Sequence, residues 1–237
     1  MEIVLVPGFW LNASAWERVT PVIEAAGHRA HPLTLPGLEA VEASRAGIGV
    51  AEQVAAIVGA IDATGTPGAR DVVLVGHSGG GPLANAALDA RPDRVARIVF
   101  VDSAPLSPGD VIPSGLTPVD GEVPLPDWDD FDDEDLVDLD DTLRDVFRRT
   151  AVPEPGDVVT GAIELRDDAR RRAVPATVIA CEFGEADLRR WVAAGEGFCR
   201  ELGALDRYDV VELPTGHWPM FTRPDAVGAA IAEAAGR

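Results

Sequence analysis

The chain has 237 residues, 40 acidic against 20 basic side chains, and a formal net charge of −20. That balance excludes a polyanion-binding protein, because nucleic acid and anionic membrane both call for a basic footprint. All 20 basic residues are arginine, which removes lysine chemistry: Schiff bases, the P-loop lysine and the Tyr/Lys pair of short-chain dehydrogenases.

With 46% hydrophobic residues at this length, one large domain with a sizeable core is expected. Met1-Glu-Ile-Val-Leu-Val enters a strand at once, without the basic and apolar regions of a signal peptide. No run of about 18 apolar residues follows. Cys181 and Cys199 lie far apart and outside any Cys-x-x-Cys pattern, so neither a disulfide framework nor a zinc site is signalled. These features predict a cytoplasmic protein with two reduced thiols and no metal or other cofactor; oligomeric state is not legible.

Short apolar runs predict strands over 2–6, 29–34, 71–75, 96–102, 176–181 and 207–213. Ala-rich amphipathic stretches predict helices over 13–26, 47–63, 82–90, 185–201 and 224–235, the last opened by Pro224. This alternation is the signature of an α/β fold, a doubly wound and mostly parallel sheet. Residues 1–103 and 173–237 form the expected core. Residues 104–172 interrupt the rhythm with Pro105, Pro108, Pro113, Pro118, Pro124, Pro126, Pro153 and Pro155, too long for a simple loop. They read as an inserted acidic cap or lid. Their acid run, 120–141, most simply reads as a solvated face; it lacks the glycine and terminal glutamate of a calcium-binding EF-hand loop.

The chemistry concentrates at Asp71-Val-Val-Leu-Val-Gly76-His77-Ser78-Gly79-Gly80-Gly81, a strand running through Gly-x-Ser-x-Gly into a helix. A serine at such a nucleophile elbow is exposed on a strained corner, and Gly76 and Gly80 leave room for neighbouring backbone. The Gly79 N–H, at the helix start, is aimed where an oxyanion would develop. The glycines fit neither G-x-G-x-x-G nor a P-loop. Near the C-terminus, a strand empties into Pro214-Thr-Gly-His217-Trp-Pro-Met220. Of four histidines, His28 and His31 lie near an early turn and His77 lies inside the elbow, its side chain pointing away from the serine. His217 is the one placed as general base.

These motifs resemble the α/β-hydrolase superfamily over essentially the whole chain. The opening VLVPGFWLNASAWERVTPVIEAAGHRAHPLTLPG is similar to the plant methylesterase and hydroxynitrile-lyase branch. The resemblance implies an oxyanion hole formed by the N–H groups of Phe9 and Gly79, although Pro7 stands where relatives usually carry histidine. The plant lyases rely on a lysine, absent here, so lyase chemistry is disfavoured.

Where most of the superfamily carries the catalytic aspartate, this chain reads Glu182-Phe-Gly-Glu185. The alternative is Asp102, ending the strand Ile98-Val-Phe-Val, where a buried carboxylate needs a partner; the same placement is known in haloalkane-dehalogenase relatives. Asp102 is favoured, with Glu182 and Glu185 in reserve. The expected function is a serine hydrolase of the carboxylesterase kind, cleaving a small carboxylic ester, lactone or thioester through an acyl-enzyme on Ser78. Trp10 and Trp218 are the candidate substrate-binding residues, with Met220 and Phe221 beside them. A hydrolase-fold protein that binds a ligand without turnover is the alternative. Recruitment of a basic protein by the acidic segment is a third, resting on charge alone.

Overall fold

The computed structural model describes residues 1–112, 115–166 and 168–237; Pro113, one of the prolines of the interruption, lies outside them. In chain order the strands are β1 (Glu2–Val6), β2 (Arg29–Pro32), β3 (Val72–His77), β4 (Val95–Val101), β5 (Glu122–Val123), β6 (Glu154–Pro155), β7 (Ala176–Ala180) and β8 (Tyr208–Glu212). The helices are α1 (Thr20–Ala25), α2 (Val50–Ala63), α3 (Gly80–Ala90), α4 (Asp141–Thr150), α5 (Gly156–Thr160), α6 (Asp168–Arg172), α7 (Glu185–Ala194), α8 (Arg200–Gly203), α9 (Pro219–Thr222) and α10 (Pro224–Ala235).

Six strands form one sheet in the order β2-β1-β3-β4-β7-β8, every neighbouring pair parallel. The apolar runs are continuous because helices cover both faces: α1 packs against α10, and α2 against α3. Ile3, Val4, Leu5 and Val6 of β1 and Val72 to Val75 of β3 are fully buried, each such side chain contributing about 1.5–3 kcal/mol of transfer free energy. Because the strands are parallel, their C-terminal ends lie along one edge of the sheet. In open α/β sheets that edge is where ligands bind.

Two expected helices are broken. The stretch 13–26 is a 3-10 turn, Ala13–Trp16, followed by α1. Pro21 lacks the N–H needed to carry an α-helix through this point. The stretch 185–201 ends as α7 at Ala194, because Gly195 takes a left-handed conformation at φ 71° and caps it; a 3-10 turn and α8 follow. The strand expected over 71–75 runs on to His77, carrying the sheet directly into the serine corner.

Between β4 and β7 the chain leaves the sheet. It forms a 3-10 turn at Trp128–Asp130, helix α4, the antiparallel pair β5–β6, and the short helices α5 and α6. Asp140 opens α4 by accepting the Leu143 N–H at 2.9 Å. Among the described residues no helix is long and apolar enough to cross a membrane.

Candidate active site

Ser78 directly follows β3 and sits at φ 48°, a conformation that costs a non-glycine residue about 1–3 kcal/mol and persists only where its surroundings enforce it. The enforcement is visible. Its N–H donates to Val101 O at 3.1 Å, and its carbonyl accepts from Gly81 N at 2.9 Å and Ser103 Oγ at 2.7 Å. A Cβ on Gly76 would lie 2.6 Å from the Gly81 Cα, and one on Gly80 only 2.2 Å from Pro7 O. These glycines are therefore steric requirements of the corner.

Three strand ends bring the other groups to Ser78. His217, in the loop after β8, has Nε2 2.8 Å from Ser78 Oγ. Its Nδ1 lies 2.7 Å from Asp102 Oδ2 and 3.0 Å from Glu182 Oε2. Asp102 ends β4 at φ 44°, its carboxylate also accepting the N–H groups of Cys181 (2.9 Å) and Glu182 (3.2 Å). Burial works against its charge, but hydrogen bonds and the neighbouring imidazole outweigh it and hold the Asp102 carboxyl at about 2.

Glu182 differs. Burial pushes its carboxyl up to about 9, and hydrogen bonding toward Asp135 and Asp102 adds to the effect while His217 opposes it. Its Oε1 is buried with no hydrogen-bond partner, which adds to the cost of charging the group. Burial disfavours the His217 imidazolium, but the hydrogen bonds from Nδ1 to Asp102 and then to Glu182 override it and raise His217 above its ordinary value. Glu185, the other reserve, starts α7 and pairs with Arg189, away from the histidine.

The loop after β1 closes the site from the other side. A Cβ on Gly8 would meet Ser78 Cβ at 2.8 Å, and one on Gly79 would meet the Phe9 ring at 2.7 Å. The loop thus lies directly on the nucleophile. Among the described residues neither the Phe9 nor the Gly79 N–H has a hydrogen-bond acceptor, leaving both donors free.

Several contributors were not visible in the sequence. His77 donates from Nε2 to the His217 carbonyl at 2.7 Å. Burial, then the adjacent His217, lowers it to about 3, so the ring stays neutral and braces the histidine loop. The acidic run braces the same loop: the His217 N–H donates to Asp135 O at 2.9 Å and the Gly216 N–H to Val137 O at 3.1 Å. Far from forming only a solvated face, the run also places Asp138 on Arg223 and Thr215. Glu154, between two prolines, is buried beside the oxyanion loop. Its carboxyl accepts the Trp10 N–H at 3.3 Å and the Gln53 amide at 3.2 Å, and burial drives it up to about 8. Trp10, at φ 63°, is thus pinned in a left-handed conformation.

Trp10 and Trp218 both line a cavity of about 700 Å³ over Ser78. Met220 and Phe221 do not. Phe221 stacks on Phe147 at 5.1 Å behind that wall, because the turn into α9 points both residues toward α4. Asp102, Glu182 and His217 hold potential metal-ligand atoms within 4.8 Å of one another, but the imidazole nitrogen they would share with an ion is already engaged by both carboxylates.

A doubly wound parallel sheet with a strained serine after β3, a carboxylate after β4 and a histidine after β8, all at one edge, defines the class of protein. A sequence model of the alpha/beta hydrolase family matches residues 3–230, and the chain belongs to that family. The esterase PIR7B of rice (Oryza sativa subsp. japonica) is 39% identical over 104 residues, 44% of this chain and 38% of the relative; the chain therefore matches under two fifths of that protein's length. A carbendazim hydrolyzing esterase from Nocardioides is 24% identical over 251 residues, covering 98% of both chains. Among solved structures, an extracellular alpha/beta-hydrolase from a Paenibacillus species superposes with TM-score 0.77 at 19% identity, over 99% of this chain and 98% of that one.

Proposed function

We propose that the protein is a serine esterase that cleaves a small carboxylic ester, or a lactone or thioester, through an acyl-enzyme on Ser78. The observation that carries this reading is the continuous relay from Ser78 Oγ through His217 to Asp102, at 2.8 and 2.7 Å. His217 Nε2 takes the Ser78 proton as Oγ attacks the carbonyl, and the Phe9 and Gly79 N–H groups receive the oxyanion. His217 then protonates the leaving alcohol. Water, activated by the same nitrogen, releases the acid.

Asp102 is the acid partner. It holds the Nδ1–H tautomer and offsets the imidazolium charge, while Glu182 donates a second, protonated carboxyl to the cluster. Trp10 and Trp218 contact substrate. Esterases among the relatives support the ester assignment, and the absence of lysine speaks against a plant-type lyase.

Residues 104–172 act as a cap over the site. The stretch 135–138 is tied to the histidine loop, so any opening motion belongs to other parts of the cap. Asp102 on His217 Nδ1 weighs against the ligand-binding alternative. The test is pre-steady-state hydrolysis of p-nitrophenyl butyrate. A burst of nitrophenol equal to the enzyme concentration, absent in Ser78→Ala, is expected; a folded parent with no burst and no turnover overturns the esterase reading.

A further inference from the structure

Two cavities meet at Ser78 and Gly79, and they differ in size, wall and relation to the histidine. The smaller, about 200 Å³, is walled away from the nucleophile by Pro82, Leu106, Phe183, Leu188 and Cys199. The larger, about 700 Å³, is lined by Trp10, Phe131 and Trp218 together with Asp130, Asp132 and Asp135. His217 borders only the larger one.

We infer that the small cavity takes the acyl group and the large one the alcohol, making the substrates esters of short apolar acids with bulky aromatic alcohols, neutral or cationic. This rests on the serine-esterase reading. Collapse of the tetrahedral intermediate breaks the bond between the carbonyl carbon and the alkoxy oxygen, and His217 Nε2 delivers its proton to that oxygen. The alcohol must therefore depart on the side that His217 borders, which leaves the small cavity for the acyl chain.

At about 700 Å³ the large cavity suits a bulkier group, and at about 200 Å³ the small one suits a compact apolar chain. Its apolar wall offers no counter-charge to an acyl group bearing a second carboxylate. On the other side, Phe131 meets Trp218 at 5.3 Å and Trp10 at 5.9 Å, edge to face, presenting aromatic surface to a flat or cationic group. Among the described residues His217 is the one basic side chain lining this cavity and no arginine does, so its three aspartates disfavour an anionic alcohol and a net charge of −20 steers cations toward it.

The experiment measures kcat/KM for p-nitrophenyl esters from acetate to myristate. It then measures butyrates of methanol, phenol, 4-(trimethylammonio)phenol and 4-hydroxybenzoate, each normalised to its hydroxide-catalysed rate. Fluorophosphonate labelling of Ser78 is run in parallel. The expected result is a rise of roughly three- to fourfold per methylene over the short acids, then a fall well before myristate. Leu188→Ala should move the maximum to longer chains; this readout is a ratio within one preparation and does not depend on how much protein folds. The cationic butyrate should exceed the anionic one by about tenfold at low salt, with the gap closing near 0.5 M salt and in the Asp130→Asn/Asp132→Asn variant.

Preference for long or bulky acyl groups on a methyl leaving group overturns the inference, as does indifference to charge on the alcohol, while Ser78 labelling and ester turnover leave the esterase reading standing. Absence of both labelling and turnover removes that reading and the inference with it.

Discussion

The strand ends and the inserted segment contribute to the site in opposite ways. The strand ends supply the reacting atoms, and they do so through backbone: Ser78 and Asp102 are each forced to positive φ where a parallel strand breaks into its next element. The segment between β4 and β7 supplies the walls, and it does so through side chains that converge from distant positions. Phe131 meets Trp10 at 5.9 Å and Trp218 at 5.3 Å, and Phe147 meets Trp218 at 5.1 Å. The two regions join where Asp135 and Val137 accept the backbone N–H groups of His217 and Gly216. The difference teaches that the chemistry is encoded locally and the specificity non-locally, with the histidine loop depending on both.

The sharpest way to break this division is to change the carboxylates on His217 one at a time. Asp102→Asn keeps the shape, removes the charge and leaves a donor facing Nδ1, so a loss of about 10³–10⁴ in kcat is expected. Glu182→Gln replaces a carboxyl that is protonated at neutral pH, and its loss should stay within about tenfold. The pH profile separates them further. His217 must be neutral to accept the serine proton, and Asp102 raises it; the acid limb of kcat/KM should therefore move to lower pH in Asp102→Asn. Equal losses in the two variants would mean that Asp102 and Glu182 share the acid role, and a larger loss in Glu182→Gln that Glu182 carries it.

A smaller effect sharpens the other side. Phe131→Ala removes an aromatic wall that touches no reacting atom, and KM should rise several-fold with kcat nearly unchanged. A fall in kcat as large as in Asp102→Asn would show that the wall and the chemistry are not separable.

The remaining effect is on stability rather than on rate. The Glu154 carboxyl, at about 4.5 in the unfolded chain, is driven to about 8 by burial. The folded state therefore binds the extra proton between those values, and stability is full below about 4.5 and lost as pH rises through 8. Glu154→Gln keeps an acceptor for Trp10 and removes the titration. It should be more stable than the parent by several kcal/mol at pH 9 and nearly equal at pH 5, read by urea denaturation. A constant difference across that range would show that Glu154 is charged in the folded protein.

The contrast also explains what was legible in the sequence. The six strands, the serine corner and the histidine loop were readable because apolar runs, Gly-x-Ser-x-Gly and a terminal Gly-His each constrain the backbone over a few residues. Asp102 was readable as a strand that ends in a charge. The breaks at Pro21 and Gly195 are equally local, but the surrounding alanine-rich periodicity masked them. Glu154, His77 and the Asp135–Val137 backbone could not be read. Their partners, at Trp10, His217 and Gly216, lie between 79 and 144 positions away in the chain, and no local pattern records such a pairing. For Met220 and Phe221 the sequence left pocket and packing equally open for the same reason: adjacency to a catalytic loop does not say which way a helix turn points.

The most direct test of the central claim is to expose the folded protein to a fluorophosphonate and map the adduct by peptide mass spectrometry. The account predicts one adduct per chain, on Ser78, lost in Ser78→Ala and slowed strongly in His217→Ala and Asp102→Asn. An adduct on another residue, or labelling of Ser78 that proceeds at the parent rate without His217, would contradict it.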